Sequence, residues 1–257
     1  MNKNKKLTRR SFAALTSVTA LGLTSKAKAG PVNSQTKIYK PADPSKVAAY
    51  AYKLYPGNAC MYAALKAVVA SASTKTDPLP YDMFKYGHKG CGGQGSLFGA
   101  CTGAAAAIGY FIRDKKECDP VIAKLFKWYE TSALPAFTPP DSSPRVTAVS
   151  GAILCHISVT KWCKAAQKNP FSKERKNRCA RLTADTAAKT VELLNDYFSG
   201  SLSKKKAVMS NQSNSCAPCH IEDTKSKTLS KIPKANVKMD CAACHSDIHA
   251  DGIKMPE

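Results

Sequence analysis

Two pentapeptides late in the chain, Cys216-Ala217-Pro218-Cys219-His220 and Cys241-Ala242-Ala243-Cys244-His245, have the residue types and spacing for covalent haem attachment. In Cys-x-x-Cys-His, two thiols on one short turn reach the two vinyl groups on one edge of a porphyrin and form thioethers. The next residue then swings its imidazole beneath the iron. One such pentapeptide could arise by chance in a chain of 11 cysteines. Two of them, 25 residues apart, outweigh a redox Cys-x-x-Cys or half a zinc site. The expectation is two covalent haem c groups per chain, with His220 and His245 as proximal ligands.

Five histidines are present, which leaves His249, His88 and His156 for the distal positions. His249 lies four residues after His245 and would share its face if that turn is helical. It cannot readily reach the far side of the haem that His245 holds, so it would serve the other haem or a haem of a second chain. His88 sits in a glycine-rich loop and could approach an iron, whereas His156 adjoins Cys155 and could be a core histidine. Their order of preference is His249, His88, His156. Met209, Met239 and Met255 rank behind them.

Seven cysteines remain: Cys60, Cys91, Cys101, Cys118, Cys155, Cys163 and Cys179. An odd number cannot be used up by disulfides. Cys155 and Cys163, eight apart, fall about 80° from each other around a helix and share one side. Soft thiolates could hold iron or an iron–sulfur group of [2Fe-2S] type. A zinc site or disulfides, for instance Cys118 with Cys163, are the alternatives.

The elements that must position these residues follow an export signal. Residues 1–29 have a positive start, an apolar stretch over 12–23 and Ala27-Lys28-Ala29 before Gly30, the form of a cleavable signal. Thr8-Arg9-Arg10-Ser11-Phe12 gives it a twin-arginine character, so the mature protein is expected in the periplasm. Twin-arginine export carries folded proteins, while haem c is attached after export. The signal therefore points to a second cofactor inserted before translocation. Cleavage would lower the formal charge of +21 by seven. Four ionised propionates would bring it to roughly +10, which favours acidic redox-partner proteins. No recognition motif or basic stripe interleaved with aromatics suggests a nucleic-acid reader. No later segment has the 18 apolar residues of a membrane span.

Residues 30–43 read as a flexible lead-in. Apolar residues at helical spacing cover 44–55 and stop at Pro56-Gly57, with Asn58 expected to cap the next helix through Cys60, Leu65 and Val69. Residues 73–80 form a loop. The run Gly87-His88-Lys89-Gly90-Cys91-Gly92-Gly93-Gln94-Gly95 holds five glycines and allows close backbone approach. It lacks the Lys-Ser/Thr of a phosphate loop. A small-residue helix is expected over 96–112, and its Gly/Ala face could pack tightly around a metal centre. Further helices are expected from Asp119-Pro120, over 146–167 beyond a proline-rich loop, and from Ser172 to Gly200. No segment alternates like a strand. The expected fold is an all-α, Cys-rich domain of six or so helices over 44–199, a linker over 200–214 and a short, irregular dihaem segment over 215–257. That segment has too few large apolar residues to enclose two haems alone. Its haems would stack on each other, on the helical domain or on a second chain.

The set Cys60, Gly90-Cys91-Gly92-Gly93-Gln94-Gly95, Cys155 and Cys179 resembles a redox-active family with four cysteines, the second within Gly-Cys-Ala-x-x-Gly. Gly92 stands where that motif has alanine, and Cys101, ten residues on, competes with Cys91 as a ligand. Joined to a C-terminal two-haem segment, this arrangement is similar to the split-Soret family of c-type cytochromes. The resemblance implies a homodimer with closely stacked, bis-histidine haems and an additional iron centre among the cysteines. The function expected is electron transfer between redox partners, with reduction of a small molecule at an open iron as the alternative.

Overall fold

Asp43 and Pro44 start the first helix, the proline at a position where no amide hydrogen is needed and the carboxylate accepting from the Ser45 and Lys46 amides. The structure, a computed structural model, describes residues 38–75, 79–139 and 146–203 together with Cys241. The export signal, His249 and both haem motifs apart from Cys241 lie outside the described residues.

α1 (Pro44–Ala72) is broken where the sequence predicts, with non-helical backbone at Pro56, Gly57 and Ala59. Asn58 does not cap the second arm. Its amide donates to the Leu54 carbonyl at 3.0 Å and so closes the first arm. Ala59 precedes the second arm with φ +64° and ψ −173°, and Cys60 is that arm's first residue. A 3-10 helix (Tyr81–Gly87) leads into the glycine loop.

α2 (Gly99–Phe111) starts three residues later than expected. Residues 95–98 are occupied otherwise: Leu97 bridges to Leu154, the Phe98 amide donates to the Ile153 carbonyl, and the Cys155 amide donates to the Ser96 carbonyl. α3 (Lys115–Thr131) is capped by Asp114, and the expected Asp119-Pro120 start is displaced by one turn and more into the helix. Both aspartates suit a cap. Asp114 binds the Lys116 and Glu117 amides, and the ring of Pro120 costs the helix one hydrogen bond.

β1 (Ala133–Leu134) and β2 (Ala148–Val149) pair antiparallel, so the helix expected over 146–167 is reduced to α4 (Cys155–Ala166). The residues ahead of α4 instead form a strand and a turn held by non-local partners. α5 (Lys173–Ser199) has the predicted ends, Ser172 accepting from the Arg175 amide and Gly200 at φ +76°.

The architecture is all-α. α1 and α5 form the central pair, and α2 packs on both. Gly99 and Gly103 make the α1–α2 contact possible. A Cβ at Gly103 would stand 2.3 Å from the Met61 carbonyl oxygen, and one at Gly99 would stand 2.5 Å from the Cys60 sulfur. One core end is hydrocarbon, built from Val47, Leu65, Val68, Ile108, Leu125 and Val191. Residues 38–43, expected in a flexible lead-in, are instead part of it. Tyr39 is buried, stacks on Phe198 at 4.3 Å and bonds Asn195, whose amide also donates to the Ala42 carbonyl. Among the described residues no helix is long and apolar enough to cross a membrane.

Candidate functional site

The other core end gathers thiols. Cys60, Cys101 and Cys155 are buried there with Phe98, Tyr129 and Leu182, and Cys179 is buried on the facing helix. Three of the four stand in the first turn of a helix or helical arm: Cys60 after the break in α1, Cys101 as third residue of α2, Cys155 as first residue of α4. Neither α2 nor α4 has a capping side chain, and Ala59 has none to offer. A helix start favours anionic sulfur, although at α4 the Cys155 and His156 amides already donate to the Ser96 and Gly95 carbonyls.

The local sequence explains these placements. The broken backbone at 56–59 restarts α1 at Cys60. Pairing of 95–98 with 153–156 sets the starts of α2 and α4 side by side. Cys101, Ala104, Ile108 and Phe111 follow a helical spacing along the buried side of α2.

Of the sequence-predicted ligands, Cys60, Cys101, Cys155 and Cys179 come together and Cys91 does not. Cys91 is exposed at φ +60°, in a loop whose amides close on its own carbonyls, as from Gly92 to Tyr86 and Gly95 to Lys89. His88 and His156 are exposed as well. Cys118 joins the hydrocarbon end and Cys163 is half-buried on α4, both as free thiols. The suggested pairing of Cys118 with Cys163 is absent.

Burial sets the electrostatics. It pushes the Cys60 thiol up to about 12, with Cys179 and Cys155 adding to the effect and the Cys60 and Met61 amides opposing it. Burial likewise pushes Cys155 up to about 11, against the pull of Arg178 and Arg175. Cys101 is held well above its ordinary range, first by burial and then by Cys60, Glu130 and Cys155. The Tyr55 and Tyr129 hydroxyls are raised by burial too. Cys60, Cys101 and Cys155 therefore keep their protons at neutral pH, and a metal would have to displace them.

The Cys60 sulfur lies 3.7 Å from the Gly87 carbonyl oxygen, and Arg175 Nη1 lies 4.0 Å from the Cys179 sulfur. Among the described residues no three His, Cys, Asp or Glu side chains stand ready-spaced around one point for a metal ion. The donor set suits a thiophilic group, since four soft sulfurs select iron, iron–sulfur or zinc. Among the described residues Arg178, which bears on Cys155, has no partner at Nε or Nη1, which fits a centre that brings negative charge. An open cleft of about 540 Å³ reaches Cys60 from the surface, with Tyr52, Tyr55, His88, Lys89, Arg175 and Lys176 among its walls.

Sequence reasoning missed Arg175, Arg178 and Arg181, reading the positive charge only as favouring acidic partners. Their spacing of three along one helix, around a cysteine, was the available signal.

Known proteins are similar to this chain. The family described as "Putative redox-active protein (C_GCAxxG_C_C)" matches residues 59–193, from beside Cys60 to beyond Cys179. "Split-Soret cytochrome c" of Desulfovibrio desulfuricans is 34% identical, with 79% of this chain and 75% of that protein aligned. A solved structure described as "A novel iron centre in the split-Soret cytochrome c from Desulfovibrio desulfuricans ATCC 27774" superposes with a TM-score of 0.68 at 32% identity, over 85% of this chain and 95% of that one. The chain belongs to the C_GCAxxG_C_C family of redox-active proteins and is a relative of split-Soret cytochrome c.

Proposed function

We propose that this protein is an exported, periplasmic dihaem c-type cytochrome that passes electrons by outer-sphere transfer, with a thiolate-bound iron or iron–sulfur centre in its helical domain. The observation that carries the reading is the pair of Cys-x-x-Cys-His motifs at 216–220 and 241–245. Cys216 with Cys219, and Cys241 with Cys244, would hold the two porphyrins, with His220 and His245 beneath the irons. His249 is the first distal candidate, ahead of His88 and His156. A homodimer would bury haem faces that a segment of so few apolar residues cannot cover.

In the helical domain Cys60, Cys101, Cys155 and Cys179 would hold the further centre. Cys101 takes the place of Cys91 because it is buried among the other three. A bound iron or iron–sulfur group supplies a second one-electron site beside the haems. Phe98, Tyr129 and Leu182 would shield its inner side from water, and the start of α2, which has no capping side chain, would favour the Cys101 thiolate. The solved split-Soret cytochrome c is described as having a novel iron centre, which supports the assignment.

Mass spectrometry and metal analysis test this reading directly. The mature chain should carry two haem increments, one lost on replacing Cys216 and Cys219 and one on replacing Cys241 and Cys244. Iron should exceed two per chain, the excess lost in Cys60→Ser and Cys101→Ser and kept in Cys91→Ser. A mass without haem increments sinks the cytochrome reading. Two irons per chain, with every other thiol free or paired, sinks the further centre.

The cleft beside Cys60 favours a second reading, in which a small molecule is reduced at an open iron. Carbon monoxide or cyanide added to the reduced protein separates the two. Unchanged spectra support the carrier, and rapid binding supports the enzyme.

A further inference from the structure

Arg175, Arg178 and Arg181 recur every three residues on α5 around Cys179, and they are 8%, 3% and 5% exposed. Arg178 Nη2 donates to Ser158 Oγ at 2.8 Å, and its guanidinium lies 5.9 Å from the centre of the Trp162 ring. Its Nε and Nη1 have no partner among the described residues, nor does Nε of Arg181. Arg175 Nε donates to the Pro170 carbonyl at 2.6 Å, while Nη1 faces the Cys179 sulfur. The ion pairs among the described residues leave out both Arg175 and Arg178. Of the buried acids, Glu130 on α3 acts on Cys101, and Asp185 on α5 accepts from the Ala136 and Phe137 amides.

Such an arrangement is costly on its own. A buried guanidinium cannot shed its proton, and a buried cation without a counter-ion is strongly disfavoured. Thiols as such carry no charge and give no compensation. As metal-bound thiolates the same four sulfurs would be anionic.

We propose that Arg178 and Arg175 are the fixed counter-charge of the thiolate centre, holding its sulfurs anionic and raising its reduction potential. The inference rests on the reading that these cysteines bind iron. Reduction adds one electron to an already negative site, so a nearby permanent cation stabilises the reduced form more than the oxidised one. The same cations oppose the metal-free fold, which leaves them unpaired. They act through the ligands and are positioning residues.

The test uses the full-length, haem-loaded protein, with Arg178→Met, Arg178→Lys and Arg175→Met. Redox titration followed by electron paramagnetic resonance reads the midpoint of the non-haem centre, and thermal melting after chelation reads the metal-free form. Arg178→Met should shift the reduction equilibrium at least tenfold towards the oxidised state, which for one electron is about 59 mV downward. Arg178→Lys should recover most of that shift. Metal-free Arg178→Met should melt no lower than the metal-free parent, because Tyr129 still bonds Ser158. If Arg178→Met does not accumulate, Arg175→Met must show the downward shift alone. An unchanged midpoint in a loaded variant overturns the proposal. So does equal destabilisation of the loaded and metal-free forms, which would make Arg178 a mere tether of α4. A parent protein without any non-haem iron removes the centre itself, a failure that metal analysis distinguishes from both.

Discussion

The helical pair α1 and α5, with α2 beside it, builds two chemically different cores. At the hydrocarbon end Val47, Leu65, Val68, Ile108, Leu125 and Val191 interlock, and the polar group at its edge is fully engaged. Asn195 accepts from the Tyr39 hydroxyl and the Ala42 amide while donating to the Ala42 carbonyl. At the thiol end, among the described residues, Arg178 is buried with unpartnered nitrogens, α2 and α4 start without capping side chains, and Ala59 stands in backbone that alanine rarely adopts. Local consistency is satisfied at one end and broken at the other. Breaches gathered in one place are where function is expected, with the well-packed end holding the fold together.

The largest effect should come from breaking the end that is complete. Leu125 is fully buried between α3 and the central helices. Leu125→Ala removes its packing and leaves a cavity, costing about 2–5 kcal/mol. The loaded and metal-free proteins should both lose stability in chemical denaturation, because Leu125 belongs to the hydrocarbon cluster and not to the one that holds Cys60, Cys101 and Cys155. Cys60→Ser should do the reverse, losing the centre while the metal-free melting point moves little. If Leu125→Ala instead emptied the centre while leaving the metal-free fold intact, the two ends would not be independent cores.

The division was partly legible in the residues. Ser172 and Gly200 mark the ends of α5 because cap chemistry is local: a hydroxyl for an amide, a left-handed glycine for the last turn. Pro56-Gly57 marks the break in α1 for the same reason. What failed depended on partners distant in sequence. Residues 148–149 have nothing strand-like about them until 133–134 lie alongside. Asp114 and Asp119-Pro120 are equally good helix starts by local rules, and tertiary packing chose the first. The choice between Cys91 and Cys101 was blurred by the glycine motif. Yet Cys101, Ala104, Ile108 and Phe111 repeat at helical spacing, whereas the glycines around Cys91 fold the loop onto itself. Burial of three arginines on α5 left only their spacing around Cys179 as a trace, since nothing local requires it.

A smaller effect separates the two ends by pH. In the metal-free protein burial raises Cys60 to about 12 and Cys155 to about 11, above the usual value of about 8.5 for an unfolded cysteine. The folded state then binds protons more tightly than the unfolded state. The contribution is fully present below pH about 8.5 and is lost as pH climbs towards the folded values. Melting of chelated protein should therefore decline with pH above about 9, where Lys and Tyr also begin to contribute. Cys60→Ser should flatten the decline, and Leu125→Ala should leave its slope unchanged. A slope indifferent to Cys60 would show that the thiols are not the groups responsible.

The smallest effect concerns the break that delivers Cys60. Gly57 and Ala59 both have positive φ there, at +79° and +64°. With ψ at −173°, Ala59 occupies a region that is essentially glycine's alone, at a cost of order 1–3 kcal/mol. Ala59→Gly relieves that strain but loosens the unfolded chain, which takes back roughly 0.5–1 kcal/mol. The net should be a gain of about 1 kcal/mol, seen as a melting point a few degrees higher in a domain of this size. Gly57→Ala should have the opposite sign. A Cβ at Gly57 meets nothing within 4 Å, so the penalty is left-handed backbone alone, roughly 1–2 kcal/mol. Iron content should stay the same in both variants if the break serves only to restart the helix at Cys60. A lower melting point for Ala59→Gly would mean that the backbone at Ala59 is not strained. A higher melting point with loss of iron would mean that the strain itself holds Cys60 towards the other thiols.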